Sequence, residues 1–141
     1  MAVSACLLGE RCRYDGATKE NSTIIKAFEE DEVIPFCPEA PVLGIPRERI
    51  SVVKAGNEYK VIGDESQDDF TELIIEQVDL LTQRHPDLDM IVLKSKSPSC
   101  GLGTTPILNE KRDLLGLGDG IAAIRLKEKF PNIQIIDEKF V

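Results

Sequence analysis

Short apolar segments alternate with segments of helical periodicity along this chain, and that alternation limits the folds open to it. Apolar runs that suit buried strands occupy residues 2–8, 32–36, 90–94 and 133–137. Helical patterns occupy residues 23–31, 66–84 and 120–130. Asn21 or Ser22 is expected to cap the first helix, and Ser66 with Asp69 the second. Strands that alternate with helices are typical of layered folds with parallel sheets.

The other segments complete a single α/β domain over residues 1–141. Residues 50–63 ("ISVVKAGNEYKVIG") predict a β-hairpin that turns at Gly56 and Asn57. The polar, glycine-rich residues 95–119 are too long for a plain connection, so we expect a functional loop or a second hairpin there. The sequence therefore predicts a single-domain layered α/β fold with a mostly parallel sheet, of the Rossmann or flavodoxin-like type.

Charge and hydropathy argue against two classes of partner. The formal net charge of -8 repels phosphate backbones, so nucleic acid is not an expected partner. No apolar run is long enough to span a membrane, and the first residues lack the basic leader of a signal peptide. We therefore expect a cytoplasmic protein whose thiols stay reduced.

The cysteines fall at the ends of predicted strands. Cys6 lies near the end of the first strand, Cys37 directly follows the second, and Cys100 lies shortly past the third in "KSKSPSCG". Because parallel strands deliver their carboxyl ends to one rim of a sheet, we expect these three sulfurs to meet there. Cys12, in the first loop, is expected near the same rim.

Three thiolates at one rim are compatible with two interpretations. They could form a soft metal centre for zinc, copper(I) or an iron–sulfur cluster, with one coordination position left open. The nearby cations Arg13, Arg47, Lys94 and Lys96 could then offset the thiolate charge. Alternatively, Cys6 and Cys37 are small buried hydrophobic residues and Cys100 is an ordinary loop residue. Spacing alone leaves both interpretations open.

Polar residues beside the cysteines could carry chemistry. Glu39, two residues after Cys37, could act as a general acid or base, and Ser97 and Ser99 could bind or attack a substrate. The alternatives are a solvated acid in a loop and turn-forming serines around Pro98. The glycine-rich turn Gly116 to Gly120 could cradle an anion, or could simply be a loop that leads into a helix.

Four motifs together resemble a known family. "VSACLLGERCRYDG", "CPE" followed by "PR", "LKSKSPSCG" and "GLGDGIAAIRL" make the whole chain similar to the DUF523 family, whose characterised members are thiouracil desulfidases. The resemblance implies a [4Fe-4S] cluster held by Cys6, Cys37 and Cys100, with Cys12 not needed as a ligand. It further implies that Glu39 and Ser97 are catalytic. Less specifically, it implies substrate contacts at Ser99, Arg13, Lys94 and Gly118.

The implied reaction exchanges sulfur for oxygen in a thiouracil-like pyrimidine and yields uracil and sulfide. The open iron would bind the substrate sulfur and polarise the C–S bond, and water activated by Glu39 would add to the ring carbon. Expected partners are a thiolated base, nucleoside or nucleotide and the iron–sulfur assembly machinery, and the cluster is expected to be lost in air. The alternatives are a non-catalytic module that stores or senses metal and a thiol protein without metal.

Overall fold

Eight strands form two four-stranded sheets in the computed structural model, which describes all 141 residues. The first sheet has the order β2-β1-β5-β8, and every neighbouring pair in it is parallel. Its strands are β1 (Ala2–Ser4), β2 (Ile34–Phe36), β5 (Met90–Leu93) and β8 (Gln134–Asp137). The second sheet is mixed, with the order β4-β3-β6-β7. Its strands are β3 (Ile50–Ala55), β4 (Glu58–Gly63), β6 (Thr105–Leu108) and β7 (Leu114–Gly118).

Helices cover both faces of the parallel sheet. They are α1 (Ser22–Ala27), α2 (Ala40–Leu43), α3 (Thr71–Arg84) and α4 (Ile121–Lys129). Val3 and Val92 pack with Ile24 of α1 on one face. The alternate residues of the same strands, such as Ile91, pack on the other face with apolar residues of α3 and α4 such as Ile74. The continuous apolar runs of these strands follow from this burial on both faces. None of the helices combines the length and apolar character needed to cross a membrane.

The strand order places a ligand site between β1 and β5. Taken by themselves, the four parallel strands follow the order 2-1-3-4, which is the beginning of the flavodoxin-like order. From β1 the chain passes to β2 on one side, and it returns to β5 on the other side. In such sheets ligands bind beyond the carboxyl ends of the two strands at which the order reverses. The α/β fold predicted from the sequence is thus confirmed, and its second sheet holds both hairpins.

Local details differ from the sequence predictions, most clearly at two positions. The first predicted helix also ends earlier, at Ala27, and the short helix α2 was not predicted. The first strand ends at Ser4, because Ala5–Leu8 turn into a short 3-10 helix that was predicted as strand. The long helix begins at Thr71 rather than near Ser66, so the predicted capping box was wrong. Backbone hydrogen bonds from Phe70 to Val61 and from Gly63 to Asp68 hold the preceding residues against β4, which prevents them from being helical.

Candidate functional site

A single cavity brings all four cysteines together at the carboxyl ends of the parallel strands. It measures about 610 Å³, and Ser4, Phe36 and Lys94 mark the ends of β1, β2 and β5 in its wall. The cysteines that line it are Cys6, Cys12, Cys37 and Cys100, all of them free thiols. We call this space the thiol cavity. It lies where the strand order reverses, the usual ligand position in such a fold.

Three different elements position the cysteines that follow strands. Cys6 lies in the 3-10 helix after β1. Cys37 directly follows β2, and its Sγ accepts a hydrogen bond from the backbone N–H of Ala40 at 3.4 Å. Cys100 closes a tight turn, in which its N–H donates to Ser97 Oγ at 3.0 Å. The position of each sulfur is therefore set by the local backbone structure around its cysteine.

Cys12 is as closely involved in the cavity as the other three. Its backbone oxygen accepts from Arg47 Nη2 at 2.8 Å and lies 3.9 Å from Cys37 Sγ. A hydrogen bond with Cys12 lowers the pKa of the Cys6 thiol. A hydrogen bond with Cys37 lowers the pKa of Cys12 itself, but Cys6 and burial outweigh it and raise that pKa to about 11. Cys6 is therefore the thiol that ionises most readily.

The other two thiols are held in their neutral form. The hydrogen bond with Cys12, together with burial, raises the pKa of Cys37. Burial and the negative charge of Glu39 raise the pKa of Cys100, although hydrogen bonds with Ser4 and Ser97 oppose this. A coordinated metal deprotonates such thiols, because its charge replaces the missing solvation.

The carboxylate of Glu39 lies in the cavity wall with a partner on each oxygen. Its side chain is only 13% exposed, and Arg47 Nη2 lies 3.4 Å from Oε1. Ser99, which is fully buried, donates its hydroxyl to Oε2 at 2.8 Å. Ser99 was predicted to bind or attack a substrate, or to form a turn at Pro98, and its contact with Glu39 was not predicted.

No backbone group accepts the hydroxyl proton of Ser97. Its Oγ accepts hydrogen bonds from the N–H groups of Ser99 and Cys100, at 3.2 and 3.0 Å. Its backbone oxygen accepts from Thr105 Oγ1 at 2.6 Å and from the N–H of Gly101 at 2.9 Å. Because its oxygen is the acceptor in both side-chain bonds, the hydroxyl proton can be donated to Cys100 or to a ligand.

The end of the glycine-rich turn and the start of α4 support the loop of residues 97–101. The N–H groups of Gly120, Ile121 and Ala123 donate to carbonyl oxygens of the loop, at 2.8, 3.2 and 3.0 Å. A Cβ on Gly120 would lie 2.5 Å from the carbonyl group of Ser99, so only glycine fits there. Gly118, a predicted substrate contact, packs against Ile107 and is absent from the cavity wall.

Lys94 is held at the cavity rim by Glu138, which lies in a short 3-10 helix after β8. Its Nζ donates to the backbone oxygen of Ser95 at 2.8 Å and pairs with Glu138 at 3.5 Å. Glu138 Oε2 also accepts from the N–H of Ser95 at 2.8 Å. Sequence analysis missed Glu138, which lies 43 residues from Ser95 and has no local signal that could have identified it.

The cavity is cationic although the protein is acidic. The chain has a net charge of -8, yet only two carboxylates, Glu39 and Asp64, line the cavity. Its six cationic side chains include both of those predicted to contact substrate; they are Arg13, Lys19, Arg47, Arg49, Lys94 and Lys96. Such a concentration of positive charge attracts anionic ligands and stabilises thiolates.

The thiols are not arranged for a single metal ion. No group of three or more His, Cys, Asp or Glu side chains is compact enough to hold one.

Known proteins resemble this chain in both sequence and fold. The sequence model of the 2-thiouracil desulfurase family matches residues 1–138. The uncharacterised protein YbbK of Bacillus subtilis (strain 168) is 33% identical over 111 residues, which cover 72% of each chain. A solved structure of TudS, a [4Fe-4S]-dependent thiouracil desulfidase, superimposes with a TM-score of 0.78 at 31% identity and covers 100% of this chain and 91% of its own. Since the family model matches almost the full length, the chain belongs to the 2-thiouracil desulfurase family.

Proposed function

We propose that this protein catalyses the [4Fe-4S]-dependent, non-redox desulfuration of a thiolated pyrimidine. The overall change is addition of one water and release of hydrogen sulfide, so that C=S becomes C=O with no net transfer of electrons. The observation that carries the proposal is that the thiols and Glu39 line one cavity at the reversal point of the strand order. Family membership supports the same reaction.

The residues present fit an iron–sulfur cluster. Thiolates are the ligands such clusters require, and all the thiols of the chain line this one cavity. Cations such as Lys94 lie beside them, and Lys94 helps to lower the pKa of Cys6. We propose Cys6, Cys37 and Cys100 as the ligands, because each follows a strand of the parallel sheet. A cluster with three protein ligands supplies a Lewis-acidic iron with an open position, which prefers a soft thiocarbonyl sulfur.

Glu39 is the proposed general base. Its Oε1 has only the long contact with Arg47, so this oxygen can accept a proton from the attacking water. Ser99 holds the other oxygen and fixes the direction of the carboxylate. A carboxylate oriented from two sides in a largely buried wall does not need to reorganise when it accepts the proton.

Ser97, Lys94 and Arg13 are the proposed substrate contacts. The free hydroxyl proton of Ser97 can be donated to an acceptor on the ring. The cations of the wall favour a negatively charged substrate, such as a nucleotide or an ionised base, over a neutral nucleoside. Iron–sulfur assembly machinery would supply the cluster, and a reducing cytoplasm would preserve it.

The deciding experiment compares iron content with turnover. Protein purified without oxygen should be brown and carry about four irons per chain. Incubation with a thiouracil or its nucleotide should release uracil product and sulfide in equal amounts. A colourless preparation that cannot be reconstituted would reject the cluster. An iron-loaded protein that releases no sulfide from any thiolated pyrimidine would instead indicate the metal-storing or sensing module.

A further inference from the structure

An arginine is buried between the cysteine loop and Glu39. The side chain of Arg47 is 6% exposed, and its Nη1 donates to the backbone oxygen of Gly44 at 3.0 Å. Its Nη2 donates to the backbone oxygen of Cys12 at 2.8 Å and to Glu39 Oε1 at 3.4 Å. Its backbone N–H donates to the oxygen of Tyr14 at 2.8 Å. One guanidinium therefore links the loop of Cys12 to both ends of α2, Glu39 and Gly44.

Burial of the charge of Arg47 costs free energy. A guanidinium that leaves water needs a carboxylate partner and acceptors for its N–H groups. Glu39 is the only carboxylate paired with Arg47, and it is itself largely buried. The pair is therefore specific to the cavity and differs from the exposed pairs on the surface, which contribute little.

One donor of the buried guanidinium remains unpaired. Nε of Arg47 is the only buried side-chain N or O atom of the protein that has no hydrogen-bond partner. An unsatisfied buried donor costs free energy. The fold bears this cost where Nη1 and Nη2 bind Gly44, Cys12 and Glu39.

We propose that Arg47 is a positioning residue of the active site: its Nη2 holds the loop of Cys12 and the carboxylate of Glu39 in one fixed arrangement. This inference rests on the proposed desulfuration, since it assigns a partner to the proposed base of that reaction. Arg47 thus fixes the base relative to the thiol loop with one rigid group.

The first test replaces Arg47 by lysine. Lysine keeps the positive charge but has neither the fork nor the Nε donor. In cluster-loaded protein, Arg47→Lys should lower kcat by about 10²-fold, because Glu39 is no longer held in place, and should leave KM nearly unchanged. The matched control is Arg125→Lys, since Arg125 forms a bidentate pair with Asp79 at 2.9 and 3.1 Å and does not line the cavity. Its kcat and KM should equal those of the wild type.

The second test is chemical rescue. Guanidinium added to Arg47→Ala should restore kcat by about tenfold or more, since it can occupy the vacated site and bind Glu39. It should have no such effect on the wild type or on Glu39→Gln. A purely structural role for Arg47 would lower the melting temperature and the iron content, but would not produce this rescue.

Two outcomes overturn the inference. Wild-type kcat and KM in iron-loaded Arg47→Lys would remove Arg47 from the active site while leaving the proposed function intact. Loss of activity that follows iron loss in every Arg47 variant, with no response to guanidinium, would assign Arg47 to the scaffold alone. Failure of the wild type itself to release uracil and sulfide would reject the proposed function, and this inference with it.

Discussion

Ser99 donates its hydroxyl to Oε2 of Glu39 at 2.8 Å and so joins two loops that are 60 residues apart along the chain. Ser99 is fully buried, and its backbone oxygen is fixed in turn by the N–H of Ala123 in α4. The direction of the Glu39 carboxylate is thus set by the helix that follows the second hairpin. Orientation of a reacting group by buried neighbours is a main source of catalytic rate.

Glu39→Gln should keep the cluster and substrate binding but lose turnover. Glutamine has nearly the same shape and can still accept from Ser99, but it cannot take a proton from water. General bases contribute about 10²- to 10⁴-fold, so kcat should fall by that range with little change in KM. The measurement is anaerobic sulfide and uracil release at matched iron content. More than about a tenth of the wild-type rate would assign the base to another group.

Ser97→Ala and Ser99→Ala should have different kinetic effects. Ser97→Ala removes a proposed ring contact, so it should raise KM as well as lower kcat. Ser99→Ala removes only a partner of Glu39, so it should lower kcat by about tenfold, the value of one hydrogen bond, and leave KM unchanged. Steady-state kinetics of the two variants at equal iron content separate the roles. The same change in both parameters for both serines would contradict the assignment.

Serine substitutions should separate Cys12 from the three proposed ligands. A hydroxyl is harder and far less acidic than a thiol, so Cys6→Ser, Cys37→Ser and Cys100→Ser should each lose most of the bound iron. Cys12→Ser should retain nearly all of it. Iron and sulfide analysis after anaerobic reconstitution provides the comparison. Equal iron loss from Cys12→Ser would indicate four-cysteine ligation, which would close the proposed substrate position.

Glu138→Gln should destabilise the protein in a pH-dependent manner. Burial raises the pKa of Glu138, but hydrogen bonds from Ser95 and the charge of Lys94 outweigh it and lower that pKa below its usual value. A depressed pKa adds stability above the unfolded value of about 4.3 and loses it as the pH falls through the folded value. Urea unfolding of the iron-free protein should show a loss of about 1–3 kcal/mol at pH 7 and much less near pH 3.

Glu128→Gln is the control for that measurement. Glu128 is 59% exposed and makes one surface pair with Arg125, so its replacement should change the free energy of unfolding by about 0.5 kcal/mol or less. A loss as large as that of Glu138→Gln, or a Glu138→Gln effect that does not shrink at low pH, would show that ionisation of Glu138 is not the cause.

Local patterns predicted most of the strands well. Residues 90–94 are an apolar run that matches β5 within one residue, and the Gly56-Asn57 turn joins β3 to β4 as expected. These features depend on neighbours in sequence. The mistaken cap at Ser66 and the missed Glu138 have the opposite origin, because each is decided by hydrogen bonds to residues on other elements. Periodicity contains no information about such contacts.

The residues of the thiol cavity show the same difference between features set by neighbours in sequence and features set by distant residues. Cys6, Cys37 and Cys100 could be placed near one another because parallel strands share a rim. The pairing of Glu39 with Arg47 and Ser99 could not be predicted, because it depends on how two irregular loops meet above the sheet. The cis peptide before Pro46, adjacent to Arg47, is likewise a feature that no spacing rule indicates.

Because β1 pairs with β5 in parallel, the thiol cavity can be completed only after β5 has been synthesised. Cys6 leaves the ribosome before β5, which begins at Met90, and Cys100 emerges after both. Chains emerge from the N-terminus, so a nascent chain holds Cys6, Cys12 and Cys37 without the wall that encloses them. Any group that needs both Cys6 and Cys100 can therefore be installed only after most of the domain has been synthesised.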